Sequence, residues 1–250
     1  MKSIVLLITV TVLITYVTSA RLSVHKGTLG EITKYPWVTL LLSPDYLCTG
    51  SLASKNIILT AAHCVCEANP IIMAIFLRNV SSDKGGYVVS LKELVADPKY
   101  KNCENLRTGS KVEDYDSESS DTAIAKIEGD ASTLKGVTII GVNLSEDLPI
   151  GTSVIAIGYG VDEGVSGVLK VGALKTTECP YQYKFEPICA LLNEENKQHV
   201  TSGDSGGPLF VPDKNKIYGG VSGISSTVQD GKYMVWVSYK GRAEFVKKYI

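Results

Sequence analysis

The chain contains the stretch Gly203-Asp204-Ser205-Gly206-Gly207-Pro208, on which its interpretation rests. The three glycines around Ser205 allow a tight backbone turn, in which the amides of Gly203 and Ser205 point at one spot. A serine hydroxyl is a weak nucleophile at neutral pH, so it needs a positioned base and hydrogen-bond donors for the oxyanion it creates. The stretch therefore predicts a nucleophilic Ser205 and an oxyanion hole formed by the amides of Gly203 and Ser205.

A candidate base lies far upstream, in Thr60-Ala61-Ala62-His63-Cys64, directly after the apolar run Ile57-Ile58-Leu59. That run predicts a buried strand, so His63 would stand at a strand end, where its side chain can face a cleft. The alternative is a surface or core histidine without a chemical role. The small Ala61 and Ala62 beneath it and the neighbouring Cys64 favour a general base.

The acid that would orient His63 must be chosen from 26 Asp and Glu residues. Asp121 is the candidate, because it opens the alternating apolar stretch 121–127, a strand that would turn its first residue inward. The alternative for Asp121 is a strand-capping carboxylate. The preceding stretch 101–120 is long and acidic, and predicts either a rim over the cleft or a plain solvated loop.

Together, His63, Asp121 and Ser205 resemble the triad of the chymotrypsin/trypsin-like serine peptidases, and their order is that of this family rather than of subtilisins or α/β-hydrolases. Three shorter motifs support the resemblance: Tyr35-Pro36-Trp37, Gly158-Tyr159-Gly160 and Val221-Ser222-Gly223. The resemblance covers nearly the whole chain after residue 20. It implies a serine endopeptidase that works through an acyl-enzyme on protein or peptide substrates, with no metal or organic cofactor.

Periodicity predicts strands over 37–42, 71–77, 87–91, 137–142, 153–157, 168–174, 208–211, 217–221 and 234–237. The resemblance implies an all-β, trypsin-like fold of two antiparallel six-stranded β-barrels, with the triad in the groove between them. We expect barrel 1 at about 24–140, barrel 2 at about 141–240 and a C-terminal helix at 242–250. His63 and Asp121 would come from the first barrel and Ser205 from the second.

Residues 1–20 predict a signal peptide, with Lys2 at the start, an apolar core and Thr18-Ser19-Ala20 at the cleavage site. A membrane anchor is the alternative, but the apolar core is short for a bilayer span. We interpret residues 21–23 as a short propeptide and 24–250 as the peptidase domain. The protein is then expected to be secreted, extracellular, monomeric and free of the membrane, with protein inhibitors as further partners. A net charge of −1 without a basic run argues against nucleic acid.

Six cysteines in a secretory chain predict three disulfides, with fifteen conceivable pairings. No spacing typical of a zinc site is present. The resemblance implies the pairs Cys48–Cys64 and Cys179–Cys189 and leaves Cys66–Cys103, in loops that the fold would place side by side. It also shows that Thr201 stands where the family usually has a cysteine. Asn79 and Asn143 each begin an N-glycosylation sequence pattern.

The resemblance implies a zymogen whose newly made N-terminus buries its ammonium group against the acid before the serine, here Asp204. Counting back from Pro36-Trp37 places that terminus at Val24. The nearest basic residue is Arg21, however, and a cut after it would yield Leu22 instead. Both starts stay open.

Substrate preference is carried by His199, Ser222 and Gly231 according to the same resemblance. His199, six positions before Ser205, replaces the aspartate of trypsins, so specificity for Arg or Lys is not expected. The histidine would favour acidic or polar side chains, or else point away from the pocket. The alternative function is a catalytically silent secreted homologue that binds proteins. A lipase or esterase is disfavoured by the order of the triad.

Overall fold

A computed structural model of the chain describes residues 24–67, 69–78, 85–108, 120–162, 165–179, 187–191, 198–228 and 231–250; at 162, 165, 223–228 and 231–232 it describes the backbone alone. The predicted signal peptide and propeptide, Asn79 and most of the acidic stretch 101–120 lie outside the described residues. None of the helices in the described part of the chain has the length and apolar character needed to cross a membrane.

The first barrel is closed by six antiparallel strands in the order β2-β3-β4-β7-β6-β5. These strands are β2 (Val38–Leu42), β3 (Leu47–Ser54), β4 (Ile57–Thr60), β5 (Met73–Phe76), β6 (Tyr87–Ala96) and β7 (Ala123–Ile127). Strand β4 is buried along its whole length and β3 along all but its two ends. The register of β4 against β7 pairs Thr60 with Ala123, which brings the ends of these two strands to the same edge of the barrel.

The second barrel is a ring of six antiparallel strands in which β9 pairs both β12 and β14. Its strands are β9 (Ser153–Gly158), β12 (Lys170–Thr177), β13 (Ile188–Leu191), β14 (Pro208–Val211), β15 (Lys216–Val228) and β16 (Gly231–Ser238). A parallel pairing joins β8 (Gly141–Val142) to β15. The short strands β10 (Val161–Asp162) and β11 (Val165–Ser166) form a separate hairpin. The predicted pair of six-stranded barrels is thus confirmed.

The segment before β2 belongs to the second barrel, although the sequence analysis assigns it to the first. Strand β1 (Thr28–Leu29) pairs with Val171 and Lys170 of β12. His25 forms an isolated antiparallel bridge with His199. The start of the described chain therefore pairs with residues that lie about 140 to 180 positions later in the sequence. Local periodicity cannot reveal such long-range contacts.

Helices are few and short: α1 (Ala62–Cys66), α2 (Cys103–Thr108), α3 (Ala243–Val246) and the 3-10 helices Ala131–Thr133 and Pro212–Lys214. The C-terminal helix predicted over 242–250 is shorter than expected, because only Ala243–Val246 is α-helical. Beyond it, Lys248 and Tyr249 donate to carbonyls three residues back, at Phe245 and Val246. This tighter i to i−3 pattern is common where a helix end unwinds.

One buried apolar cluster contains the core of the first barrel and reaches into the second barrel as far as Phe210, while the rest of the second barrel's core forms a separate cluster. Trp37, just before β2, packs its ring 5.4 Å from that of Phe210 on β14, and Tyr35 meets the same phenyl ring edge-on at 6.1 Å. Trp37 and Phe210 are both buried. The motif Tyr35-Pro36-Trp37 therefore packs the first barrel against the second.

Candidate active site

His63 lies on α1, three residues after β4 ends, and its neighbours hold it against Asp121. The Nδ1 atom of His63 is 2.7 Å from Oδ2 of Asp121. The backbone N–H of His63 donates to Oδ1 of the same carboxylate at 2.8 Å. This amide is one of the unsatisfied donors at the start of α1, and Ala61 provides no side-chain cap. Asp121 therefore both caps helix α1 and orients the imidazole of His63.

Asp121 lies two residues before β7 starts at Ala123, slightly outside the strand that the sequence predicts to begin with it. Its side chain is 3% exposed. The hydroxyl of Ser222 on β15 donates to Asp121 Oδ2 at 2.7 Å. Three donors thus surround one buried carboxylate and fix its orientation. Ser222, predicted as a substrate-binding residue, directs its hydroxyl at this acid.

Ser205 lies on a turn packed against the strand end that leads to His63. A Cβ atom added at Gly206 would lie 2.2 Å from the Thr60 hydroxyl and 2.7 Å from the Ala61 amide nitrogen. Gly206 also has φ of +75°, a conformation that favours glycine. The carbonyl oxygen of Ser205 is 3.8 Å from Sγ of Cys64, the neighbour of His63. Ser205 and His63 are both partly exposed, so this edge opens to solvent.

A buried threonine on β3 joins the turn to both barrels. The N–H of Thr49 donates to the carbonyl of Ser205 at 2.9 Å. Its hydroxyl donates to the carbonyl of Gly203 at 2.9 Å and accepts the amide of Tyr159 at 3.0 Å. Its carbonyl accepts the hydroxyl of Thr60 at 2.9 Å. The N–H and hydroxyl of Thr49 therefore hold the turn around Ser205, and its carbonyl holds the end of β4.

The amides predicted to form an oxyanion hole are on this same turn. Within the described residues, the N–H groups of Gly203 and Ser205 donate to no protein acceptor. Gly203 has φ of +93°, and a Cβ atom there would lie 2.3 Å from a methyl carbon of Leu47. The turn can therefore offer both amides to an incoming oxygen atom, and only glycine fits at position 203.

Asp204 points away from Ser205 into the interior, where it is fully buried. Its Oδ2 accepts the amide of Thr201 at 2.8 Å, the Thr201 hydroxyl at 3.3 Å and the backbone nitrogen of Val24 at 3.3 Å. Its Oδ1 accepts the amide of Gly160 at 2.8 Å. Burial raises the pKa of Asp204 from 3.8 to about 6, although these hydrogen bonds act to lower it. The carboxylate is therefore well bonded but has no positive partner among the described residues.

The residues predicted to shape the substrate pocket have other contacts in this structure. The ring of His199 lies against that of His25, with centroids 4.6 Å apart. Gly231, whose backbone alone is described, opens β16 opposite Val228. Ser222, as noted, bonds Asp121.

The cysteines form the pairs Cys48–Cys64, Cys66–Cys103 and Cys179–Cys189, the same pairs that the family resemblance implies. Side-chain atoms of Cys48, His63 and Cys64 lie within 4.8 Å of one another. Both sulfur atoms belong to a disulfide, however, and only a thiolate is a good metal ligand. This group therefore cannot hold a metal ion while the disulfide is intact.

The glycosylation predicted at Asn143 does not fit the structure. Asn143 is 2% exposed. Its side-chain nitrogen, the atom that would carry a sugar, donates to the carbonyl of Glu146 at 2.7 Å, and its side-chain oxygen accepts the Glu146 amide at 3.1 Å. A glycan there would break both bonds and would have to leave the interior.

Two residues with contacts at the site were missed from sequence. Thr49 follows Cys48 in a run of small residues and gives no local signal of its role. His25 adjoins Val24, but only the long-range bridge to His199 shows that it contacts a predicted site residue. Thr201 could have been found from sequence, because it stands where the family usually has a cysteine. Its hydroxyl reaches Asp204.

Known proteins resemble this chain over most of its length. The family model described as Trypsin matches residues 24–243. The cercarial protease of Schistosoma mansoni is 30% identical over 198 residues, which cover 76% of this chain and 75% of that protein. Trypsin delta of Drosophila melanogaster is 26% identical, covering 73% of this chain and 72% of that protein. The venom protease of Bombus pensylvanicus is 25% identical, covering 77% and 84% respectively. The chain therefore belongs to the trypsin family of serine proteases.

Proposed function

We propose that this protein is a secreted serine endopeptidase that hydrolyses peptide bonds through His63, Asp121 and Ser205. The observation that carries this proposal is the 2.7 Å contact between His63 Nδ1 and Asp121 Oδ2, with the turn of Ser205 packed against the same strand end. An imidazole held in this way by a buried carboxylate is oriented for proton transfer through its other nitrogen.

The proposed reaction begins when the Ser205 hydroxyl attacks the substrate carbonyl carbon while His63 Nε2 takes its proton. Asp121 keeps the remaining proton on Nδ1 and stabilises the imidazolium ion. The amides of Gly203 and Ser205 donate to the oxyanion, each contributing about 3–4 kcal/mol in comparable enzymes. His63 then protonates the leaving amine, an acyl-enzyme forms on Ser205, and water enters by the reverse sequence to release the acid product.

Thr49 is proposed as a positioning residue for the oxyanion hole. Its hydroxyl ties the Gly203 carbonyl to the Tyr159 amide, and its own amide ties the Ser205 carbonyl to β3. Both oxyanion donors are on peptide units next to these bonded carbonyls. Their direction is therefore set by a side chain that does not touch substrate.

Activation is proposed to work through Asp204. In the uncut chain, the nitrogen that approaches its carboxylate at 3.3 Å is the peptide amide of Val24. A cut before Val24 would turn this nitrogen into an ammonium group, which would supply the missing positive charge in a site of low dielectric constant. The approach of Val24, which is itself buried, supports a start at Val24 over one at Leu22.

Maturation is proposed to remove residues 1–20 as a signal peptide and 21–23 as a propeptide, leaving a peptidase domain at 24–250. The three disulfides support an oxidising, extracellular location. The proposed partners are protein or peptide substrates and protein inhibitors, and the working form is a monomer.

Labelling by a fluorophosphonate tests the catalytic proposal. The probe bonds only to an activated serine, so the chain processed to begin at Val24 should be labelled, and Ser205→Ala should abolish labelling and lower kcat by roughly 10⁴- to 10⁶-fold. Ser202→Ala, on the same turn and exposed, should keep both. A folded, processed chain that takes no label would instead support the silent binding homologue.

Replacing the Thr49 hydroxyl should impair catalysis more than substrate binding. Thr49→Val leaves the Tyr159 amide without its acceptor and frees the Gly203 carbonyl, so we expect kcat to fall about 10- to 100-fold with little change in KM. Steady-state kinetics on a peptide ester measure this, and Thr49→Ser should restore kcat. The matched control is Thr39→Val, an equally buried threonine whose hydroxyl donates to the Ile75 carbonyl within the first barrel. Equal losses of kcat in Thr49→Val and Thr39→Val would contradict the positioning role.

The uncut chain should become less stable as pH rises from about 4 to 6. The pKa of Asp204 is about 6 in the folded chain and 3.8 as the unperturbed value. In this window the folded chain keeps a proton that the unfolded chain has lost, so the free energy of unfolding decreases with pH, on the order of 2–3 kcal/mol in total. Urea unfolding across this range measures the effect, and Asp204→Asn should remove this component of the slope.

Urea unfolding of the cut chain across the same pH range tests the activation scheme. With an ammonium at Val24, the carboxylate is favoured and the decrease should shrink or disappear. N-terminal sequencing identifies the cut. Active protein that starts at neither Val24 nor Leu22 would contradict the scheme.

Substrate preference is proposed to exclude Arg and Lys on the amino side of the cleaved bond, because His199 replaces an acidic residue. A peptide-library profile of the processed enzyme should favour acidic or polar residues there. His199→Asp should shift the profile towards Arg and Lys by adding a negative charge. A wild-type profile dominated by Arg or Lys would refute this preference.

A further inference from the structure

We propose that His25 and His199 form a binding site for a late first-row divalent metal ion, with Zn²⁺ as the representative ligand. The site goes beyond the proposed peptidase activity and uses neither His63 nor Ser205. It joins the residue after Val24 to the segment that leads to Ser205. His199 is also the residue proposed above to set substrate preference, but no step of the proposed reaction requires the pair.

The backbone places the two histidines opposite each other. They form an isolated antiparallel bridge, in which the N–H of His25 donates to the carbonyl of His199 at 2.8 Å. Directly opposed residues of such a pair have Cβ atoms about 4.5–5.5 Å apart, and their side chains leave the backbone on the same face. Both side chains are partly exposed, so an ion from solvent can reach them.

The distance between the rings fits two adjacent positions on one metal ion. With a Zn–N bond of about 2.0–2.1 Å, a ring centroid lies about 3.2 Å from the ion. Two rings separated by about 90–109° at the metal then have centroids about 4.5–5.2 Å apart. The observed separation of 4.6 Å, with the rings tilted by 47°, lies in this interval. The spacing of the two rings is therefore compatible with binding one ion.

The ligand chemistry selects the class of ion. Imidazole nitrogen suits Zn²⁺, Cu²⁺ and Ni²⁺, whereas Ca²⁺ and Mg²⁺ prefer oxygen ligands. Each ring can bind through one nitrogen and keep a hydrogen bond on the other. Water molecules would complete the coordination shell.

The surrounding contacts hold the two ligands in place before any ion arrives. Gln198, next to His199, donates from Nε2 to the Lys26 carbonyl at 3.2 Å and accepts the Ala173 amide at 3.1 Å. Val24, next to His25, is buried against Asp204. The backbone on both sides is thus fixed, which lowers the entropy lost on binding.

The pair is present whichever activating cut occurs, because both Val24 and Leu22 precede His25 in the chain. An ion that binds this docked arrangement and not the undocked one must stabilise it by mass action. We therefore expect Zn²⁺ to raise the melting temperature of the chain and to hold the N-terminal segment on the second barrel.

The test is a calorimetric titration of the secreted full chain with Zn²⁺ at about pH 7.5, because an imidazole binds a metal ion in its neutral form. One Zn²⁺ ion should bind per chain. His25→Gln and His199→Gln should each weaken binding by at least the roughly 10- to 100-fold that loss of an outer-shell partner costs. The matched control is His63→Gln, which removes the third histidine of the chain and should leave this binding unchanged. Ca²⁺ should not bind to the same site.

A second measurement on the wild-type chain covers the case in which a variant does not fold. Zn²⁺ should protect His25 and His199, but not His63, from acylation by diethyl pyrocarbonate, as read by mass spectrometry. The proposal is overturned if Zn²⁺ affinity is unchanged in folded His25→Gln. It is equally overturned if the binding disappears in His63→Gln or if the ion protects neither His25 nor His199.

Discussion

The hydrogen bonds of Thr49 are the constraint on which the groove between the barrels depends. Apolar packing of Trp37 on Phe210 holds the two barrels together, but such packing is not directional and tolerates small sliding. Hydrogen bonds are directional, and Thr49 uses all of its polar groups to connect β3 with Gly203, Ser205, Tyr159 and Thr60. A shift of one barrel by an ångström or more would break several of these buried bonds at once. One residue of the first barrel therefore helps to fix the relative position of the two halves of the site.

The two buried aspartates of the site solve the same electrostatic problem in different ways. Asp121 has three donors, and one of them is an imidazole that can become positive. Asp204 has four hydrogen bonds, including one from the Thr201 hydroxyl, yet burial still raises its pKa to about 6. Neutral donors thus offset only part of the cost of removing a carboxylate from water. Thr201, which stands where the family usually has a cysteine, donates a hydrogen bond to Asp204 where a disulfide is absent. The remaining cost of burying the Asp204 carboxylate is one that only a cation can remove.

Much of the fold and part of the site could be predicted from sequence, because their signals are local. Strand β14 (Pro208–Val211) has the predicted limits, and His63 and Asp121, chosen from their positions at strand ends, are in contact. Their catalytic roles remain predictions. Strand β3 was missed, because its small buried residues lack alternation, and of the strand predicted at 137–142 only Gly141–Val142 forms. Thr49 could not be found either, since its partners lie 110 and 154 residues away.

The N-terminal segment attaches to only one of the two barrels that form the site. The first barrel is built from consecutive strands, and the contact between His63 and Asp121 lies within that unit. Residues 24–29 instead attach to β12, to His199 and to Asp204, all on the second barrel. Docking of this segment therefore stabilises the part of the second barrel that carries the turn of Ser205, and not the imidazole of His63. Under the proposed activation, a chain with an undocked start would keep the contact between His63 and Asp121 while the turn of Ser205 is less constrained. Folding of the protein and assembly of its site would then be separate steps.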